Sequence, residues 1–437
     1  MGIEFLTVFV FGLLILFLVL GVPVVFALGG AAVIATYFLW GGQALYMVGI
    51  RTFSSASSFV LLAVPMFIFM GALLEKSGIA RDLYDLMQKW MGGIYGGLAS
   101  GTVFICALFA ALVGISGAAT VTMGVVALPS MLEHRYDRRL AIGCIAGGGA
   151  LGVLIPPSVL MIVLGLYTNT SIGMLYAGGI VPGLLLVVLF VVYITVASLV
   201  NPKLAPALPA AERAGWGERL GALKNAILPI LLLLGMLGSL ASGAATPSEA
   251  AGMGALGSMV CAGVYRQLSW KNVHEACAVT LRLSCMVMWI IFAASIFTAL
   301  YSAIGAQELV RSLLSVLPGG AWGVVIGMQV IWMIMGTLLD PIGIMMITAP
   351  LFFPIVTSLG FDPVWFGILF VVNMEMAFLS PPFGFNLFYM KSVAPPGVTM
   401  ADIYRAVVPF VALQALALAM VMIFPELVLW LPRLLIQ

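Results

Sequence analysis

The chain has 437 residues, 63% hydrophobic and 8% charged, with a formal net charge of +2. A soluble fold of this length carries about a quarter charged residues, so this composition excludes one and points to a polytopic membrane protein. Apolar runs near ~20 residues, rather than alternating strands of ~10, select helices over a β-barrel, and a charge of +2 with no basic block gives nucleic acid no footing.

The N-terminus, Met1-Gly2-Ile3-Glu4, lacks a basic region, so its apolar run reads as a retained span rather than a cleaved signal. Residues 4–20 and 22–40 are two spans around the turn Gly21-Val22-Pro23, with one long bent helix as the competing reading. A span over 58–75 follows. In 76–91, Leu83, Leu86, Met87 and Trp90 fall at helical spacing among charged neighbours, which predicts an amphipathic helix in the interface. Residues 97–132 are apolar but interrupted around Val113-Gly114-Ile115-Ser116-Gly117, which predicts a reentrant helical hairpin with its tip at Ser116. The cluster Glu133 to Arg139 marks its return to water.

Residues 139–170 contain Gly147-Gly148-Gly149 and Leu154-Ile155-Pro156-Pro157-Ser158. A proline pair removes two backbone donors and clashes with the preceding turn, so this span is a broken helix. Freed carbonyls at membrane depth must be buried in protein or line a polar cavity. A span over 174–200 completes the first half, and the polar stretch 201–224 is a cytoplasmic linker. The second half, 225–437, is expected to repeat the order. It has spans over 225–243, 248–266 and 281–301, an amphipathic piece over 306–317, and a hairpin over 322–358 with its tip at Leu338 to Gly343. A broken helix over 364–393 around Ser380-Pro381-Pro382 and a last span over 402–432 follow.

Constant offsets support a duplication of 1–200 as 225–437. Pro156 and Pro381 are 225 residues apart, as are Pro129 and Pro354, and Gly78 and Gly305 are 227 apart. Under ten crossings, 15 of the 18 Lys and Arg fall on the side of the 76–96 loop and 3 (Arg51, Arg311, Arg433) on the other. The positive-inside rule then makes the first side cytoplasmic and both termini periplasmic. Five crossings separate the third span from its counterpart, so the repeats are inverted. The fold class is thus an all-α polytopic membrane protein, an inverted repeat with two reentrant hairpins and two broken helices, the layout of alternating-access transporters.

Pro65-Met66-Phe67-Ile68-Phe69-Met70-Gly71, the Leu154 to Ser158 break, Thr246-Pro247-Ser248-Glu249-Ala250-Ala251 and Ser380-Pro381-Pro382-Phe383-Gly384, in this order, resemble the large membrane subunit (DctM-like permease) of tripartite ATP-independent periplasmic (TRAP) transporters. The resemblance covers essentially the whole chain. It implies a bacterial or archaeal inner-membrane secondary transporter of the elevator type. It also implies a small four-helix membrane subunit and a periplasmic solute-binding protein as partners, an organic-acid substrate, often a carboxylate or sugar acid, and sodium as the coupling ion. The small subunit is not read as fused, because the repeat accounts for both halves. In this reading 97–170 and 322–393 move as a body. The spans 4–40, 174–200, 225–266 and 402–432 stay fixed, and 76–91 and 306–317 act as arms.

Sodium would sit between hairpin tips and broken helices. Ser116 and Gly117 are expected to face Gly149, Gly152, Leu154 and Pro156, and Asp340 and Gly343 to face Glu375, Ala377 and Ser380. Ser158 and Asn386, just past the breaks, would touch substrate. The competing structural readings are close helix packing for the glycines, capping for Asp340 before Pro341, a capping box for Thr246 and Glu249, and snorkelling for Arg51. The cysteines (Cys106, Cys144, Cys261, Cys277, Cys285) have neither metal nor disulfide spacing and read as small apolar residues. His134 and His274 lie at span ends and no His-Glu-x-x-His motif occurs, so an intramembrane hydrolase lacks machinery. A channel would need a symmetric filter from identical subunits. The nearest rival is a stand-alone ion-coupled anion transporter.

Overall fold

The computed structural model describes residues 2–114, 116–315 and 318–435, and among these it is helical with no strand. Helices α1 (Ile3–Val19) and α2 (Val24–Trp40) are separate, because Gly21 turns the chain at φ +78 ahead of Pro23. An unexpected short helix α3 (Tyr46–Ala56) precedes α4 (Ala63–Lys76). Tyr46, Met47, Ile50 and Phe53 of α3 are all exposed, as in a helix lying on a membrane surface. The amphipathic helix α5 (Ile79–Met91) buries Ile79, Leu83 and Leu86 and turns its charges outward.

The first hairpin is α6 (Gly97–Val113) and α7 (Ser116–Glu133). Its turn is closed by Gly114 at φ +69, where a side chain would be strained and its Cβ would lie 2.8 Å from the Pro157 carbonyl oxygen. The tip therefore rests on the first break. That break separates α8 (Arg138–Ala150), with its 3-10 turn Leu151–Val153, from α9 (Val159–Thr168). The Pro156-Pro157 peptide is cis, as is Pro381-Pro382 in the second half. The long helix α10 (Ile172–Val200) leads to the linker.

The second half contains α11 (Trp216–Ala241), α12 (Pro247–Val264), α13 (Trp270–Ala303) and α14 (Ala306–Ser315). It continues with the hairpin α15 (Gly320–Gly336) and α16 (Pro341–Ser358), then α17 (Pro363–Phe378), α18 (Phe385–Val393), α19 (Met400–Ile423) and α20 (Glu426–Leu435). The amphipathic piece expected over 306–317 is helical to 315, and its last two residues lie outside the described ones. A helix, a short amphipathic helix, a hairpin, an interrupted helix and a long helix thus follow one another twice, from α4 and from α13.

Four expectations are corrected. The span placed at 225–243 begins at Trp216, and the one placed at 281–301 begins at Trp270, because polar residues at a helix end extend into the interface without breaking it. The last span, placed at 402–432, breaks after Ile423. Phe424 precedes Pro425, and its φ −118 and ψ 80 take it out of the helical region, as a following proline demands. The fourth correction concerns the frame. α10 packs along α6, α9, α17, α19 and α20, and α19 along α8, α17 and α10. Both long helices are therefore built into the hairpin body. The frame is α1, α2, α4, α11, α12 and α13, held by α4 on α12 and α13, α2 on α13, and Lys76 to Glu275 at 2.9 Å.

The linker is not free. The Leu204 carbonyl accepts from the Asp137 amide at 2.7 Å, the Ala205 carbonyl from Gly96 at 3.0 Å, and the Leu208 amide donates to Gly92 at 2.8 Å. Its first part is thus fixed to the ends of the first hairpin and the first broken helix. At the start of α12, Thr246 and Glu249 form the capping box. The Glu249 amide donates to Thr246 Oγ1 at 3.3 Å and the Thr246 amide to Glu249 Oε2 at 2.8 Å.

Candidate functional site

Both hairpin tips and both breaks meet at one cavity of about 170 Å³. Gly114, Ser116 and Gly117 come from the first tip, Asp340 to Ile342 from the second, Val153 and Val159 from the first break, and Phe378 and Phe385 from the second. Ile68 of α4 and Leu283, Met286 and Val287 of α13 line it from the frame. Among its described lining residues, Asp340 is the one carboxylate and there is no Lys or Arg.

At the first tip, Ser116 begins α7 and is buried. Its hydroxyl donates to Asn386 Oδ1 at 2.7 Å, and Asn386 Nδ2 donates to the Ala146 carbonyl of α8 at 3.2 Å. Gly117 lies beneath the Tyr389 ring, where an added Cβ would come within 2.5 Å. One turn on, Thr120 Oγ1 donates to the Ser116 carbonyl at 3.3 Å and fills the space a Cβ on Gly149 would need. Ser116 and Gly117 thus line the space together, while Gly149 packs against Thr120 one turn further along α7. Gly152 lies in the buried 3-10 turn, while the Leu154 carbonyl points at Gly179 of α10, so Leu154 does not face the tip as expected. Pro156 is buried at the break itself.

At the second tip, Asp340 caps α16. Its Oδ2 accepts from the amides of Ile342 at 3.0 Å and Gly343 at 3.3 Å. The expected face-to-face arrangement with α17 does not form. Gly343 points at Val24 of α2, Glu375 Oε1 accepts from Gln414 Nε2 of α19 at 3.1 Å, and Ala377 packs on Gly336 at the end of α15. Ser380 donates locally to the Met376 carbonyl at 2.9 Å. Helical phase explains the difference. Asn373 and Ala377, four residues apart, share the face toward α15, whereas Glu375 is rotated by about 200° from each and meets α19.

Of the two residues assigned to substrate, Ser158 caps α9, donating to the Val153 carbonyl at 2.7 Å and accepting from the Met161 amide at 3.5 Å. Asn386 is committed to Ser116 and Ala146. Sequence reasoning missed Thr120, Tyr389 and Gln414. Gln414 carried a usable signal, since a lone amide inside an apolar 24-residue helix is a candidate by default. Tyr389 and Thr120 are ordinary residues until the tip is folded onto them.

A family described as "Tripartite ATP-independent periplasmic transporter, DctM component" matches residues 11–427. The chain is 34% identical over 399 residues to the C4-dicarboxylate TRAP transporter large permease protein DctM of Pseudomonas aeruginosa, covering 91% of this chain and 92% of that one. It is 29% identical to the ectoine TRAP transporter large permease protein TeaC of Halomonas elongata (95% and 96% covered). It is 26% identical to the sialic acid TRAP transporter large permease protein SiaM of Vibrio cholerae (95% of each). The fold is similar to the solved structures of the Alcanivorax borkumensis YdaH transporter (TM-score 0.63, 17% identity, 96% of this chain and 98% of that one) and Neisseria gonorrhoeae MtrF (TM-score 0.63, 14% identity, 97% of each). These relatives in sequence are named as transporter permeases, not enzymes, and with the apolar helices they make this a multi-pass inner-membrane protein. The chain belongs to the DctM component family, the large permease subunit of tripartite ATP-independent periplasmic transporters.

Proposed function

We propose that this permease imports a small organic acid, a carboxylate or sugar acid, into a bacterial or archaeal cell. Sodium drives uptake, a periplasmic binding protein delivers the substrate, and a small four-helix membrane subunit stands beside the permease. Both termini are periplasmic, and the two halves run in opposite directions through the membrane. The observation that carries this reading is the convergence of both tips and both breaks on one cavity. Interrupted helices meeting at membrane depth offer carbonyls, hydroxyls and helix ends without lipid exposure. A hard cation takes oxygen ligands, and Ser116, Asp340 and the backbone around Gly149 supply them. With no Lys or Arg lining the space, the bound cation supplies the positive charge an anionic substrate needs. Relatives are named for C4-dicarboxylates, ectoine and sialic acid, which keeps the substrate class small and charged.

An elevator movement is supported by how the hairpin body meets the frame and arms. The hydrogen bonds that reach across include Thr122 to Glu75, Thr298 to the Met346 carbonyl and Gln307 to the Pro350 carbonyl, each 3.4 Å long. Inside the body, Ser116–Asn386 is 2.7 Å, Trp332–Thr348 2.8 Å and Trp365–Val421 2.9 Å. Small residues carry the rest of the seam. Gly71 of α4 lies against Val113, and Gly343 against Val24. Further bonds join helices of the body to one another, among them Asn386 to the Ala146 carbonyl at 3.2 Å and Gln414 to Glu375 at 3.1 Å.

The test is uptake into proteoliposomes holding the permease, its small subunit and a cognate binding protein, under sodium and proton gradients imposed separately. The reading expects uptake with sodium and binding protein together, and little without either. Full-rate uptake without the binding protein would favour a stand-alone transporter instead.

A further inference from the structure

We infer that Asn386 is a positioning residue that orients Ser116 for a cation and locks the two halves of the chain together, rather than a substrate ligand. The inference rests on the reading of Ser116 as a cation ligand given above. Asn386 is completely buried, and both ends of its amide are engaged. Its neighbours in α18, Phe385 and Tyr389, line the cavity, while Asn386 does not. A substrate would have to break an existing bond to reach it.

The direction of the hydrogen bonds follows from the partners. The Ala146 carbonyl can only accept, so the amide nitrogen must face it at 3.2 Å. The amide oxygen is then left for Ser116. That oxygen can only accept, so the Ser116 hydroxyl must donate across the 2.7 Å bond. A serine has one hydroxyl proton and two lone pairs. With the proton committed to Asn386, the lone pairs are directed elsewhere, as a hydroxyl ligating a cation requires. Without Asn386 the hydroxyl is free to rotate and to present its proton to the ion. One side chain from the second half thereby sets the chemistry of the first tip, and it ties that tip to α8 through Ala146.

The experiment measures sodium half-saturation, substrate half-saturation at saturating sodium, and melting temperature in detergent. The variants are Asn386→Ala, Asn386→Asp, Ser116→Ala and the Ser116→Ala/Asn386→Ala pair. Asn386→Ala is expected to raise the sodium half-saturation roughly tenfold, the worth of one buried hydrogen bond, with substrate half-saturation unmoved. The double variant should be no worse than Ser116→Ala, because both remove one interaction. Asn386→Asp keeps the acceptor for Ser116 but sets an oxygen against the Ala146 carbonyl. It should lower the melting temperature yet hold the sodium curve at or below its normal midpoint. That combination separates positioning from a role in stability alone and survives if Asn386→Ala does not fold. Losses that multiply in the double variant, or a substrate midpoint that moves while the sodium midpoint does not, would overturn the inference. A sodium curve unmoved by Ser116→Ala would instead overturn the cation reading beneath it.

Discussion

Gly149→Ala separates two accounts of the first cluster. As a ligand, Gly149 would act through its backbone carbonyl, which alanine keeps, so a ligand role alone predicts no change. The packing predicts otherwise. An added Cβ would lie 2.0 Å from Thr120 Oγ1 and 3.0 Å from both Thr120 Cα and Cβ, against an ordinary carbon–carbon separation of about 3.5–4.0 Å. Rotating the threonine hydroxyl away relieves the first clash and gives up its bond to the Ser116 carbonyl. The clash with the Thr120 backbone has no such escape, because no side-chain rotation moves it. Helix α7 must therefore back away from α8 by some tenths of an ångström along the turn that begins with Ser116. Overpacking of this kind costs about 1–3 kcal/mol. The melting temperature in detergent should fall, and the sodium midpoint should rise because Ser116 is carried along. Adding Thr120→Ala, which removes the nearest clash, should recover part of the stability. A Gly149→Ala protein that melts normally would refute the packing argument.

Three further outcomes are expected. Gly117→Ala should push the Tyr389 ring into the cavity and slow uptake. Shortening the ring by Tyr389→Ala in the same protein should restore room, and uptake assays of the single and double variants check this. Gln414→Leu removes the donor to a completely buried Glu375 and should cost about 1–3 kcal/mol. Replacing both residues by leucine should cost less than the single change, because no polar group is then stranded; melting curves of the three variants test it. Lengthening the linker by two glycines after Leu208 should leave uptake unchanged, whereas Asp137→Pro, which deletes the amide bonded to Leu204, should lower both stability and uptake.

The breaks and tips were legible because proline and glycine act locally. Pro156-Pro157 and Pro381-Pro382 interrupt any helix whatever surrounds them, and Gly114 and Asp340-Pro341 mark turns by their own backbone chemistry. Hydropathy placed the spans to within a few residues, except where Trp216 and Trp270 start helices in polar sequence and where the last span breaks after Ile423. What stayed hidden depended on three dimensions. The assignment of α10 and α19 to the hairpin body follows from which helices they touch, and apolar residues on every side of a membrane helix carry no such signal. The cluster expected around Glu375 failed on a rotation of two residues along α17. The Ser116–Asn386 bond joins residues 270 apart, which spacing alone cannot pair.

The movement of the hairpin body against the frame is tested most directly by a reversible lock. Gly343 at the start of α16 lies so close to α2 that an added Cβ would come within 2.9 Å of Val24 Cγ1. Cysteines at both positions, Val24→Cys and Gly343→Cys, in a chain whose five native cysteines are replaced, should oxidise to a disulfide joining body to frame. Uptake measured with reconstituted permease, small subunit and binding protein should be abolished on oxidation and return on reduction. Uptake at the full rate through the oxidised protein, with crosslinking shown to be complete, would contradict the account.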